Sequence, residues 1–306
     1  MTVASSSRIA TAAPTASGAG PLRRRSAGWW GFAPFAVYVA LFLAVPTVVA
    51  IASGFFTAKG AFTLGNFAAL ASPAIMTAFA NSLWLSAVVA VVSAVLGAIL
   101  CLALSSMPPD GWVRSIVDSA ASTLAQFGGI MLAFAFIALM GVQGAATLWL
   151  QQTFGLDINT LSSDGPLLYQ VGGLVFPYVY FSVPLMVLTF LPALEGLQQQ
   201  WAEAAATLGA SRWVYWTRIA MPLLAPAFWG STILVFAGAF SSFATAAALI
   251  DQGGLVALAI KQQLTSETIV GVANTAGVLA LGMVVVMAAV MAVYSLLERR
   301  ARRWRR

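Results

Sequence analysis

The chain has 306 residues, 60% of them hydrophobic and only 8% charged, against about 25% charged in an ordinary soluble domain. So few ionisable side chains cannot coat a water-facing globule, and the composition selects a membrane protein. There is no His and one Cys, which excludes imidazole-based proton relays and metal sites and an intramolecular disulfide, and the net charge of +6 raises a nucleic-acid reading that the placement of the charges must decide.

Residues 1–28, rich in Ala, Ser, Thr, Gly and Pro and carrying Arg23, Arg24 and Arg25, are predicted to be a disordered basic leader. The apolar run after those arginines is too long for a cleaved signal peptide and is taken as an uncleaved first helix. Six runs are long enough, at roughly 17 to 25 residues each, to span a bilayer. They lie near 31–56, 79–104, 116–140, 168–192, 224–250 and 276–297, separated by turn formers such as Lys59-Gly60, Pro108-Pro109-Asp110-Gly111, Ser163-Asp164-Gly165-Pro166 and Asp251-Gln252-Gly253-Gly254. Cys101 falls inside the second run and reads as a packed core thiol. The sequence therefore predicts an all-α membrane domain over 29–298 with six transmembrane helices, a long polar loop at 195–222 and a basic tail at 299–306.

An even number of spans puts both termini on one side. That side would hold thirteen of the fifteen basic residues: Arg8, Arg23, Arg24, Arg25, Arg114, Arg212, Arg218, Arg299, Arg300, Arg302, Arg303, Arg305 and Arg306. Only Lys59 and Lys261 face the other. Positive loops stay in the cytoplasm, so both termini and the loops around Pro109 and Glu203 are expected inside. Charge gathered at helix ends in this way speaks for lipid anchoring, with Trp304 at the interface, and against nucleic acid.

The polar loop carries the most specific pattern: Glu203-Ala204-Ala205, then Gly209 after three residues, then nine residues to Ile219, a spacer, Met221 and Pro222. Glu203 to Leu208 is good helix sequence with small side chains that permit close approach by a partner. Gly209 supplies a free stop, and Ser211 is placed to cap a second short helix bearing Arg212, Trp213, Tyr215, Trp216 and Arg218. Pro222 and Pro226 fit the opening turn of the next span. Aromatic and arginine side chains of this kind anchor protein interfaces, and they equally suit an amphipathic loop lying on lipid; composition leaves those two readings even.

The spacing resembles the EAA signature of binding-protein-dependent ABC importer permeases, with Met221 where Leu is usual. The resemblance, with six spans around the loop, covers about residues 30 to 300 and implies the type I importer fold, also called MetI-like. It implies that Glu203, Ala204, Ala205, Gly209, Ala210, Ser211, Arg212, Trp213, Tyr215 and Pro222 contact a separate ATPase. The sequence itself has no Gly-x-x-x-x-Gly-Lys-[Ser/Thr] loop and no ABC signature. The resemblance accordingly implies no cofactor on this chain and no catalysis by it, ATP and Mg on two partner ATPase subunits, a second permease subunit, expected to be a homologue in a heterodimer, and an extracytoplasmic solute-binding protein.

Candidate pathway residues are the polar and aromatic positions within the spans: Asn81, Gln126, Tyr178, Tyr180, Phe236, Phe240, Ser241 and Thr245. The plain alternative for each is helix packing, with hydroxyls bonded back to their own helix. The stretches Gln126–Phe134 and Tyr180–Met186 resemble permeases for polyamines or aminoalkylphosphonates; sugar, glycerol-phosphate, iron and thiamine permeases are sister possibilities. An ion-coupled secondary transporter needs carboxylates or His within the membrane, whereas the nine acidic residues here sit in loops or near span ends. An intramembrane enzyme has no nucleophile–base pair or metal cluster to use. Arg114 and Asp118, four apart, are expected to pair on one helix surface. Gly128-Gly129 is expected to allow close helix contact or bending.

Overall fold

The computed structural model describes residues 27–57, 59–108, 111–160, 165–250, 254–265 and 272–303. The expected leader up to 26, Pro109, Asp110, Asp164, Asp251, Glu267 and the end of the tail from Trp304 lie outside them. Within the described residues the protein is helical, and its β pairing is the isolated Phe56–Phe62 bridge. Six helical segments are long and apolar enough to cross a membrane: Phe32–Ser53, Pro73–Ser105, Ile130–Phe154, Gly172–Glu195, Arg212–Ser241 and Asn274–Leu296.

The chain divides into two compact units. The first, up to Val49, holds α1 (Ala27–Val39), a π turn (Ala40–Ala44) and the start of α2 (Val45–Ser53). Pro46 explains the wide turn: it has no amide hydrogen to offer the carbonyl of Phe42, and its ring crowds that oxygen. Opening the helix by one residue relieves the clash.

The second unit, from Ala50, is built around α3 (Pro73–Ser105), which starts on a proline, where the missing amide costs nothing. After it come α4 (Trp112–Gln126), α5 (Ile130–Met140), α6 (Ala145–Phe154) and α7 (Val175–Glu195). The polar loop holds α8 (Gln199–Thr207) and α9 (Arg212–Tyr215), followed by α10 (Met221–Ser241), α11 (Ala244–Leu249), α12 (Val256–Thr265) and α13 (Val272–Arg303). α3 packs along α7 and α10, and α4 lies on α7. α3 and α7 come close at Gly97, where a Cβ would stand 2.6 Å from Met186 Cγ. Small residues at such contacts let membrane helices draw together. Cys101 is buried there, its thiol directed at the Val187 carbonyl at 3.9 Å, in agreement with a packed core thiol.

Three sequence expectations need correction. The helix expected over 116–140 is two helices, α4 and α5, interrupted at Phe127–Gly129, where Gly129 takes φ +76°. The run expected over 224–250 breaks at Ser242–Phe243. The tail expected from 299 continues α13 as helix through Arg303.

Candidate functional site

The 195–222 loop opens where α7 ends at Glu195, and α8 carries Glu203, Ala204 and Ala205. Alanines favour helix and add little bulk. α8 is then stopped by two backbone bonds, from Gly209 N to the Ala206 carbonyl (3.0 Å) and from Ala210 N to the Ala205 carbonyl (2.9 Å). This closure requires a left-handed residue at Gly209, which has φ +77°. Ser211 Oγ accepts from Val214 N at 3.4 Å and starts α9.

The expected second short helix is not a separate element. α9 passes through a π turn (Trp216–Ala220) directly into α10, so helix runs from Arg212 to Ser241. Pro222 stands two residues after the π turn, as Pro46 does after the first, and the carbonyl it would clash with, that of Arg218, lies within the widened turn.

Ala205 is buried, while Glu203, Ala204, Gly209, Ser211, Arg212, Trp213 and Pro222 are exposed and Ala210 and Tyr215 are half-buried. Glu203 accepts a bond from Gln199 Nε2 (2.9 Å) on its own helix. Two large apolar side chains stand out on this loop, Leu208 at 87% exposure and Trp213 at 74%. Trp213 also borders an apolar groove of about 800 Å³ with Trp216, Phe190, Phe228 and Trp229, and Arg212 lies on its edge. At the base of the loop Glu195 pairs with Arg114, which also approaches Asp118 at 3.8 Å. The Arg114–Asp118 contact was expected; Glu195, far away in sequence, was not.

A second cluster forms where the two interrupted helices meet. Gly129 N donates to Thr245 Oγ1 (3.1 Å), and that hydroxyl donates to the Gly129 carbonyl (3.2 Å). Tyr178 donates from its hydroxyl to the Ser242 carbonyl (3.1 Å). Backbone groups freed by each break are thus taken up by side chains from other helices, as irregular backbone among apolar helices requires. Of the pathway candidates, Tyr178 and Thr245 meet here, both fully buried, with Gln126 and Ser241 closing α4 and α10 beside them.

Ser241 Oγ bonds back to the Gly238 carbonyl on its own helix (3.4 Å), as the packing alternative has it. The remaining candidates scatter. Tyr180 meets Phe136 edge-on, Phe236 and Phe240 stack at 6.0 Å, and Asn81 is half-buried on α3. Sequence reasoning missed the contact of the Lys261 ammonium with the Phe243 ring, 5.9 Å from its centroid. The Gly128-Gly129 pair was the one signal of the first break; the second has no glycine.

Residues 164–303 match the family described as the inner-membrane component of binding-protein-dependent transport systems. The chain is 24% identical over 264 residues to the spermidine/putrescine permease PotB of Haemophilus influenzae, covering 84% of this chain and 89% of that protein. It is 26% identical over 176 residues to the Escherichia coli sulfate permease CysT, covering 57% and 58%. In fold it resembles a chain of a bacterial alginate ABC transporter solved with its oligosaccharide-bound periplasmic protein, with a TM-score of 0.68 over 89% of this chain and 93% of that one at 15% identity. The family match, the permease relatives, which are non-catalytic subunits, and the six apolar helices together support an ABC importer inner-membrane permease, a multi-pass membrane protein of all-α, MetI-like fold.

Proposed function

We propose that the protein forms half of a solute pathway and couples it to a separate ATPase through the 195–222 loop, with that loop and both termini in the cytoplasm. The observation that carries this reading is the exposed pair Leu208 and Trp213, held beside Glu203 by the left-handed turn at Gly209. Apolar side chains presented on a polar, helix-stopped projection suit a protein partner. Two ATPase subunits bind ATP and Mg and hydrolyse the nucleotide. A homologous second permease completes the pathway, and a solute-binding protein delivers to it from outside. ATP binding draws the loops together and turns the pathway outward, and by reciprocity the loaded binding protein favours the closed ATPase.

The substrate class proposed is a polyamine or a related small organic cation. The PotB relatives align over most of the chain, the sulfate relative over little more than half.

The test is purification in mild detergent from the native membrane, followed by uptake of spermidine and of sulfate into vesicles. An ATPase and a second permease should co-purify, and spermidine should be taken up. Glu203→Lys, at an exposed side chain bonded only within α8, should leave the chain inserted while releasing the ATPase. A chain that transports without any ATPase, driven by an ion gradient, would overturn the coupling; uptake of sulfate alone would overturn the substrate class.

A further inference from the structure

We propose that Arg114 is a positioning residue: its ion pair with Glu195 hooks the base of the docking loop to α4, so that movement of the loop reaches the interrupted helices at Gly129 and Thr245. This rests on the docking role proposed above for residues 195–222.

Glu195 is the last residue of α7, and α8 starts four residues later at Gln199. Any displacement of α8 pulls first on Glu195. Arg114 sits in the first turn of α4 with only 13% of its side chain exposed. Its guanidinium contacts Glu195 through one terminal nitrogen and approaches Asp118 of its own helix through Nε. A planar guanidinium can address two carboxylates at fixed angles, which a lysine cannot. It also stands at the C-terminus of α7, where the helix dipole favours a cation.

α4 is an unbroken helix of 15 residues, and from the hook at Arg114 to its end at Gln126 it spans about 18 Å at the usual rise per residue. Its apolar face is seated, with Val117 and Ala121 among the residues packed with Phe190, Leu191 and Leu194 of α7. The far end is Gln126, and three residues on, Gly129 is bonded in both directions to Thr245. α4 is thus a rigid rod with the loop at one end and the junction of the two broken helices at the other. The other routes from loop to junction are interrupted: α10 by the π turn at Trp216–Ala220, and α7, which ends at Glu195 and reaches Ser242 through Tyr178, by Pro184 and Pro192, each of which removes a ladder bond.

The test uses the assembled complex with its own ATPase and carries Ser241→Cys as a reporter. Ser241 is exposed at the end of α10, and the native Cys101 is buried, so background labelling is low. The reading is the labelling rate by a thiol reagent with MgATP and vanadate, relative to no nucleotide. Arg114→Gln should keep the ATPase bound and hydrolysing while the nucleotide-dependent change at the reporter shrinks about tenfold. Arg114→Lys should fall between the two. The exchange Arg114→Glu with Glu195→Arg, made together with Asp118→Asn so that no second carboxylate faces position 114, should recover most of the response, since it restores the pair with its polarity reversed.

A response that survives Arg114→Gln, or an assembled exchange variant that does not recover it, would overturn the proposal. If Arg114→Gln does not assemble, Arg114→Lys and the exchange variant carry the same test. A parent complex that binds no ATPase is a different failure, that of the docking reading itself.

Discussion

Replacing Gly209 isolates the backbone of the 195–222 loop from everything else the loop does. Gly209 holds φ +77°, and a Cβ built there meets nothing within 4 Å. A substitution therefore acts through conformation, with no clash inside this chain. A residue with a Cβ pays about 1–2 kcal/mol to enter the left-handed region, and Asn pays less because its side chain bonds locally. If only the closed turn docks, that cost appears in the affinity for the ATPase. Gly209→Ala should weaken binding about 5- to 30-fold, at 1.4 kcal/mol per tenfold. Gly209→Asn should weaken it less, and Gly209→Val more, because a β-branched residue at positive φ is a true outlier.

The assay is the dissociation constant of the detergent-solubilised permease for its ATPase, with circular dichroism to verify that helix content is unchanged. The order expected is Gly, Asn, Ala, Val. Side-chain volume gives a different order, with Ala ahead of Asn. Binding that follows volume would mean that the partner's surface covers Gly209 and that the turn is not the cause. Binding indifferent to all three changes would remove the closed turn from the docking argument. Gly209→Asp is accordingly a test of charge more than of backbone, since Asp tolerates this region nearly as Asn does.

Two further predictions concern the helical core. Thr245→Val removes both bonds to Gly129 and leaves its amide and carbonyl without a side-chain partner; unfolding in mixed detergent micelles should show a loss of about 1 kcal/mol, whereas Ser241→Ala, whose hydroxyl bonds its own helix, should show none. Equal effects would mean that the junction bond contributes nothing. Gly97→Ala places a Cβ 2.6 Å from Met186 Cγ and 2.8 Å from its Cβ, so α3 and α7 must part at a cost of about 1–3 kcal/mol. Met186→Ala in the same chain should recover part of that loss, and strict additivity in the double-mutant cycle would show that the two do not meet.

The apolar runs and the loop spacing were legible because both are local. Composition placed the chain in a membrane, and the Glu203-to-Pro222 spacing marked the loop before any contact was known. The break after Gln126 was hidden because hydropathy averages over a window: polar Ser115, Asp118, Ser119, Ser122 and Thr123 precede the break, apolar Ile130 to Met140 follow it, and their mean passes for one span. The second break has no local signal, since Ser242-Phe243 is ordinary helix sequence; Tyr178, from another helix, holds it. Pro222 and Pro226 were tied to a helix start, yet the helix starts at Arg212, because a π turn lets Pro222 sit inside a continuous rod and Pro226 lies further within it. The Arg114–Glu195 pair joins residues with no sequence relation.

These hidden features have a common physical basis, and it bears on how such a chain can move. Regular helices packed through glycine and alanine contacts are stiff, and a stiff bundle cannot alternate between two openings unless some segments are exempt from the ladder. In the second unit such exemptions include the π turn after Tyr215 and the breaks after Gln126 and Ser241, with backbone groups at the two breaks bonded by Thr245 and Tyr178. Compensation by side chains can be exchanged at small cost, whereas a helical ladder must be broken cooperatively. Motion arriving from the loop should therefore concentrate at Gly129, Thr245 and Ser242, where Tyr178 and Gln126 also lie. The polar and aromatic residues drawn together there lie where the helices are free of the regular ladder.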